Sequence, residues 1–353
     1  MKMVSAVLIN YNGLRDLPAC LESLVCQDYP ELELIMVDNA SGDGSTRLLE
    51  EFAADPANQE RFAGGSPYLI RNSDNLGFSA ALNLGIYASR GDYILSLNTD
   101  IVLEPDFVSV LSGTMEEPGV GSASGKLLRF PPRCQGGVID SAGHIMFRNR
   151  LAENRGEELP GDTSMNRPGF IFGTCGAAAL YSRSMLEDVK VEGEYFDESF
   201  FAFWEDLDMD WRAALRGWKC VYEPGALGYH RRGGTGYRKS LLVEYHNFKN
   251  RYLAIMKNDL FSGLGLNLPG ILLTEILKAG ALLERCPGAL LSLGEVVRLI
   301  PRTLRKRRYI QSRRLVSRRE TRKWFMPFGY RRWIRKNLVE RASMAAKNGG
   351  QGR

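Results

Sequence analysis

Four groups of residues carry side chains fit for chemistry. Ser96-Leu97-Asn98-Thr99-Asp100 closes an apolar run (Tyr93, Ile94, Leu95, Leu97) with an amide and a carboxylate on either side of Thr99. A buried strand that ends in such oxygens can hold a hard cation against a phosphate; the same residue types also suit a plain turn before a helix starting near Pro105-Asp106. Asp38 ends another apolar run and can hydrogen-bond a pyrimidine or a ribose, or serve as a turn acid ahead of Ser41-Gly42. Glu205, Asp206, Asp208 and Asp210 fall together beside Phe203 and Trp204. One or two acids would satisfy a helix N-terminus; four, shielded by aromatic rings, can supply a general base of tuned pKa. His230 precedes Arg231-Arg232-Gly233-Gly234-Thr235-Gly236, a basic loop able to close over phosphates, and its imidazole is either a metal ligand or a structural group.

The elements that must position these groups alternate. Val4 to Asn10, Leu32 to Asp38, Tyr68 to Arg71 and Tyr93 to Asn98 are short apolar runs, and Leu14 to Gln27, Ser45 to Ala53 and Phe78 to Ala88 between them have helical spacing. This alternation predicts an α/β protein with a parallel sheet and helices on both faces, in which functional residues gather at the carboxyl edge of the strands. Those edges read Asn10-Tyr11-Asn12-Gly13, Asp38 to Asp43, Asn72 to Asn75 and Asn98-Thr99-Asp100, and all are polar. Beyond Pro118 the pattern is richer in strands, with Val120 to Leu128, Val138 to Phe147 and Phe170 to Tyr181 as predicted strands and Asn149 to Arg167 as a flap-like loop. Gly173 to Ala179 is a run of small residues suited to close approach by a ligand or another backbone. At about 100° per residue, Trp204, Leu207, Trp211, Ala214 and Leu215 share one stripe, so the acidic run begins a packed helix.

Composition sets the remaining bounds. The chain has 353 residues, 44% of them apolar, enough for a sizeable core. Six cysteines without a C-x-x-C pair argue against a zinc cluster or disulfide framework, suit a reducing compartment and are expected in the core. Met1 to Val4 lead directly into the first apolar run, which is too short for a signal peptide. Neither G-x-G-x-x-G nor G-x-x-x-x-G-K-[ST] follows a strand, which disfavours a dehydrogenase or a phosphate-loop NTPase. Residues 296–353 hold 19 Lys/Arg against two acids, whereas residues 1–295 hold 27 against 39. Such a split predicts a body with a basic tail that seeks an anionic surface. Leu260 to Thr274 is too short and too broken by Gly and Pro to span a membrane. Leucine pairs from Ile276-Leu277 to Val296-Val297, the run Arg305-Lys306-Arg307-Arg308, Trp324 and Trp333 suit amphipathic helices at a membrane surface. Packing against the body and nucleic-acid binding are the competing readings.

Taken in order, Val7 to Gly13, Val37-Asp38-Asn39-Ala40-Ser41, Asn75-Leu76-Gly77-Phe78-Ser79-Ala80-Ala81-Leu82-Asn83, Leu97-Asn98-Thr99-Asp100, Trp204-Glu205-Asp206-Leu207-Asp208 and His230 resemble the family 2 glycosyltransferases of GT-A fold. Within them the set most resembles the rhamnosyltransferase-like branch that builds bacterial cell-surface polysaccharides. The resemblance covers Val4 to Asn258 and implies a catalytic domain over residues 1–258 and a helical, basic, membrane-associating extension over 259–353. It implies Asp206, with Glu205 beside it, as catalytic base. It also implies Asn10, Tyr11, Asn12, Asp38, Asn75, Phe78, Asn83, Asn98 and Thr99 at the nucleotide, and Asp100 and His230 at a divalent cation, Mg²⁺ or Mn²⁺. Asn98 stands where many relatives have the first Asp of a D-x-D motif. Gly173, Cys175, Gly176, Ala177, Arg183 and Trp204 are implied under the acceptor. The implied reaction is inverting transfer of a sugar from a dTDP- or UDP-sugar donor, such as dTDP-rhamnose, to a glycan or lipid-linked acceptor. Its implied place is the bacterial cytoplasm, on the inner face of the membrane, with no nucleic-acid partner.

A nucleotidyltransferase making a nucleotide-sugar is the first alternative, but it would need a Gly-rich basic loop after strand one, and Asn10-Tyr11-Asn12-Gly13-Leu14 is not one. A non-catalytic membrane- or nucleic-acid-binding protein is the second.

Overall fold

The computed structural model describes residues 1–65, 67–130, 137–162, 164–232 and 240–327. The first part alternates as its pattern requires: β1 (Val4–Asn10), α1 (Leu17–Val25), β2 (Leu32–Asp38), α2 (Ser45–Ala54), α3 (Pro56–Arg61), β3 (Pro67–Arg71), α4 (Phe78–Ala88) and β4 (Tyr93–Asn98). These four strands are parallel, with β1 between β2 and β4 and the carboxyl ends Asn10, Asp38 and Asn98 at one edge. Strand residues alternate between two cores: Ala6 and Leu8 face one side with Leu34 and Leu97, while Val7 and Ile9 face the other with Ile35 and Val37.

The rest of the sheet is not parallel. After β5 (Ile101–Leu103), α5 (Phe107–Thr114), β6 (Val120–Arg129), β7 (Ile139–Ser141), β8 (His144–Phe147), β9 (Ala152–Asn154) and β10 (Gly169–Ile171) comes β11 (Ala178–Ser182), which pairs antiparallel with both β4 and β6. Helices α6 (Arg183–Val189) and α7 (Glu205–Arg216) and strand β12 (Lys219–His230) complete the order β10-β12-β6-β11-β4-β1-β2-β3. The parallel sheet expected from the alternation is therefore a mixed one. Phe170 to Tyr181 is not one strand, because the small-residue stretch 173–177 runs as a loop between β10 and β11. Val138 to Phe147 is likewise divided at Gly143, whose φ of 89° belongs to the left-handed region. Nor is 149–167 a free flap: Asn149, Arg150 and Glu157 are buried in it. Of the cysteines expected in the core, Cys20, Cys175 and Cys220 are buried, Cys26 is exposed, and Cys134 lies outside the described residues.

Helix α8 (Leu241–Asn258) leads into the extension, α9 (Phe261–Arg285), α10 (Ser292–Ser312), α11 (Arg318–Lys323) and β13 (Phe325–Met326). Helix α9 continues through Pro269, yet among the described residues no helix is long and apolar enough to cross a membrane. Strand β13 joins β8 in a small sheet, and α10 packs along α8. The run Arg305 to Arg308 is largely consumed by the body: Arg305 pairs with Glu192, buried Lys306 with Glu194 and Asp197, and Arg307 donates to the carbonyls of Met256 and Asp259. Within the run, Arg305 and Lys306 thus meet acids of the body, while Arg308 is exposed. Trp333 lies outside the described residues.

Lys257 is the hinge of this packing, bonding Asp197 and, at 2.9 Å, Asp208, which also accepts from Arg212 and Asn258. Burial pushes Asp197 up, but the Lys257 and Lys306 ammoniums hold it well below the usual carboxylate range. Replacing Lys257 by Met leaves two buried carboxylates short of a cation. The expected cost is about 3–5 kcal/mol, read as a lowered midpoint in urea unfolding.

Candidate active site

The carboxyl edge of β1, β2 and β4 forms one wall of a pocket of about 320 Å³, and the start of α7 forms the other. The first wall presents Tyr11, Asn75, Phe78, Asn98, Thr99 and Asp100; the second presents Cys175, Gly176, Ala177, Glu205 and Asp206. The two chemical groups picked out by residue type thus face one space.

The four acids at the start of α7 point in three directions. Asp206 and Asp210, four residues apart and so on one face, hold the 173–177 loop: Asp206 Oδ2 accepts from Gly176 N at 3.0 Å, and Asp210 Oδ2 from Thr174 N at 2.8 Å. A Cβ on Gly173 would lie 2.1 Å from Asp210, so only glycine lets the loop sit this low. Gly173 is therefore packed beneath the loop and lies outside the pocket lining. Asp208 turns away to Lys257 and Arg212. Glu205 faces the pocket, but burial, then the neighbouring Asp206 charge, raises its carboxyl well above the usual range. Asp206 also lines the pocket, with one carboxylate oxygen held by the Gly176 N–H.

Asp100 Oδ2 lies 3.4 Å from His230 Nε2, and His230 Nδ1 lies 2.8 Å from buried Asp140. β5 pairing with the end of β12 brings them together. Burial opposes the imidazolium, but the two carboxylates raise His230 to about 9. Burial likewise pushes Asp100 up, and the His230 hydrogen bond, the His230 charge and a main-chain hydrogen bond together hold Asp100 below its ordinary value. Among the described residues no group of three or more His, Cys, Asp and Glu side chains is placed to hold a metal. Asp100 lines the pocket and could fill one position of a cation whose others are taken by phosphate oxygens and water, an arrangement Mg²⁺ accepts; His230 Nε2, held against Asp100, would have to give up its proton to join it.

Other expected residues lie outside the lining. Asp38 is buried and accepts from Asn10 Nδ2 (2.7 Å) and Thr46 Oγ1 (2.9 Å), which tie β1, β2 and α2 together; Asn12 Oδ1 accepts from Gly42 N. Asn39, not Asp38, lines the pocket at that edge. Three expectations are corrected. Asn83 is buried and clasps the Phe196 main chain. Arg183 donates to the carbonyls of Ser89 and Gly91 at the amino end of β4, because antiparallel β11 carries it a full strand length from the site. Trp204 packs with Leu207 and Trp211 in the core. Gly233 to Gly236 lie outside the described residues.

Sequence reasoning missed the aromatic rim. Phe201, Phe203 and Trp204 have φ of 65°, 71° and 71°, unusual for bulky residues. Buried Asn250 holds them by donating to the carbonyls of Phe200, Ala202 and Phe203 at 2.7–2.9 Å. His246, also on α8, stacks on Phe201 at 5.0 Å and lines the pocket. His144 Nε2 lies 3.8 Å from Asp206 Oδ2, a contact between strand and helix that no local spacing signals.

Residues 5–190 match the sequence profile of Glycosyl transferase family 2, more than half of the chain, and the chain belongs to that family. Among curated relatives, it is 28% identical over 221 residues to an N-acetylglucosaminyltransferase of Bradyrhizobium diazoefficiens, covering 60% of this chain and 41% of that one. It is 30% identical over 216 residues to an N-acetylglucosaminyltransferase of Rhizobium meliloti, covering 60% and 46%. It is 25% identical over 225 residues to a poly-beta-1,6-N-acetyl-D-glucosamine synthase of Staphylococcus epidermidis, covering 64% and 48%. The match spans less than half the length of each of these relatives. In fold, S. aureus TarS 1-349 in complex with UDP-GlcNAc superimposes with a TM-score of 0.55 at 17% identity, over 88% of both chains. The mannosyltransferase PcManGT of Pyrobaculum calidifontis in complex with GDP-Man and Mn²⁺ gives 0.51 at 17%, over 88% and 86%. These likenesses establish the mixed α/β GT-A architecture.

Burial, then the Lys249 charge, depresses His246 to about 4, below the ordinary 6.5. The unfolded chain therefore binds the extra proton between these values, and stability falls as pH drops from 6.5 towards 4. His246→Gln is expected to flatten that part of the profile, measured as the difference in melting temperature between variant and wild type at each pH.

Proposed function

We propose that this chain transfers a sugar, with inversion, from a nucleotide-sugar to a hydroxyl of a growing glycan. The observation that carries the reading is the single pocket with Asp100 on one wall and Asp206 on the other. A nucleotide-sugar laid along the strand ends puts its diphosphate at Asp100 and His230 and its base near Tyr11 and Asn39. The sugar then projects toward α7. Asp206 removes the proton of the acceptor hydroxyl as that oxygen attacks the anomeric carbon from the face opposite the diphosphate. Its Gly176 N–H bond fixes one carboxylate oxygen, and neutral Glu205 beside it adds no second charge. Asp100 and His230 are the residues that would hold a divalent cation, which supplies Lewis-acid neutralisation of the leaving diphosphate. The Phe201 and Phe203 rim offers apolar surface to the faces of pyranose rings.

UDP-GlcNAc is the donor we favour, because the curated relatives named above are N-acetylglucosamine enzymes; the dTDP-rhamnose expectation finds no support among them. The acceptor is proposed to be a β-linked polysaccharide or its precursor. A panel of UDP- and dTDP-sugars, scored for nucleoside diphosphate release with and without Mn²⁺, tests the reading. Release of diphosphate instead would mark a nucleotidyltransferase. Asp206→Asn is expected to lower turnover by about 10²–10⁴-fold while nucleotide affinity stays within about twofold. Substantial retained turnover removes Asp206 from the base role.

A further inference from the structure

The basic side chains of the extension divide into two sets. On α10 and at its end, Arg302, Arg305, Lys306 and Arg313 are matched with Glu194, Glu192, Asp197 and Asp188 of the body. On α11, Arg318 and Arg322 have no carboxylate partner among the described residues, and their spacing of four puts them on one helix face. They line a recess with Arg148, whose Nε is buried without a hydrogen-bond partner. The recess also holds Arg150 and one acid, Asp259, but these two cancel through a bidentate pair of 2.6 and 3.0 Å. Three guanidinium charges are left facing one small space.

The fold fixes this cluster. A capping box of Ser317 and Glu320 starts α11. Phe325 wedges between the Trp211 ring, at 5.5 Å, and the Arg150 guanidinium, at 4.7 Å. Arg148 N donates to Met326 O at 3.0 Å where β13 meets β8. Helix α9 adds Asn267 to the lining. From the next residue it carries Leu268, Leu272, Ile276 and Leu283, which are 45%, 52%, 69% and 61% exposed and fall within one helical stripe. Leu291 and Val297, 77% and 65% exposed, extend the apolar surface. Fork-shaped cations match a phosphate, and an exposed apolar helix face matches hydrocarbon.

We propose that the Arg148, Arg318 and Arg322 recess binds the phosphate of an anionic lipid headgroup, with the α9 stripe lying in the bilayer interface. The proposal is independent of the sugar chemistry, and it places the membrane contact away from Arg305 and Lys306, whose charges are paired within the molecule. The test is flotation of the full chain with phosphatidylcholine vesicles, with and without phosphatidylglycerol. Wild type should float with the anionic vesicles. Arg148→Gln/Arg318→Gln/Arg322→Gln should bind them about tenfold more weakly or worse, whereas the charge-matched Arg308→Gln/Arg314→Gln/Arg319→Gln should lose much less. Arg318→Gln/Arg322→Gln, confined to exposed side chains, serves if the Arg148 change harms folding, and Leu272→Glu/Ile276→Glu should also lose recruitment. Equal binding by wild type and the recess variants, or equal losses in both triple variants, overturns the site. Saturable stabilisation by inorganic phosphate without vesicle recruitment overturns the lipid assignment.

Discussion

Everything at the site depends on how one helix disposes of four negative charges. Placed together at the start of α7, the carboxylates would repel each other and destabilise the helix they begin unless each found its own environment. Asp210 and Asp206 accept main-chain N–H bonds from the small-residue loop, Asp208 is matched by Lys257 and Arg212, and burial raises the Glu205 carboxyl well above its usual range. The result is a helix start whose pocket-facing carboxylates, Glu205 and Asp206, differ in their surroundings.

The same disposition ties the extension to the chemistry. Lys257 of α8 and Lys306 of α10 reach Asp197 and Asp208, and Asn250 and His246 of α8 shape the rim. Although a boundary near residue 258 separates a sugar-handling part from a basic tail by composition, α8 belongs physically to both. Part of the basic balance of 296–353 is spent on the acidic body, where Arg302, Arg305, Lys306 and Arg313 pair with Glu194, Glu192, Asp197 and Asp188.

Local patterns made much of this legible. The strands β1 to β4, the polar edge at Asn98 to Asp100 and the packed stripe of α7 each follow from a run of apolar residues and its ending. What escaped was set by partners distant in the chain. Antiparallel β11 reads like any apolar strand, and its direction, which sends Arg183 to the far edge, depends on pairing with β4 and β6. Asp38 and Asn83 are polar residues at the right places, but their bonds to Thr46 and Phe196 turn them inward. The pairing of His230 with Asp140 joins residues 90 positions apart. The surplus of arginines in the tail was plain, but not which of them the body would claim.

The left-handed backbone at Phe201, Phe203 and Trp204 bears on how the molecule assembles. Such conformations are thinly populated in a free chain and persist only when their surroundings enforce them. Here the enforcing side chain, Asn250, lies nearly fifty residues downstream. During synthesis from the N-terminus, the parallel strands and the Asp100 edge can form before α8 exists, but the rim beside Asp206 cannot take its final shape until α8 has docked. The two walls of the pocket are thus completed at different times, and a nascent chain ending before α8 would carry the Asp100 edge without a finished rim beside Asp206.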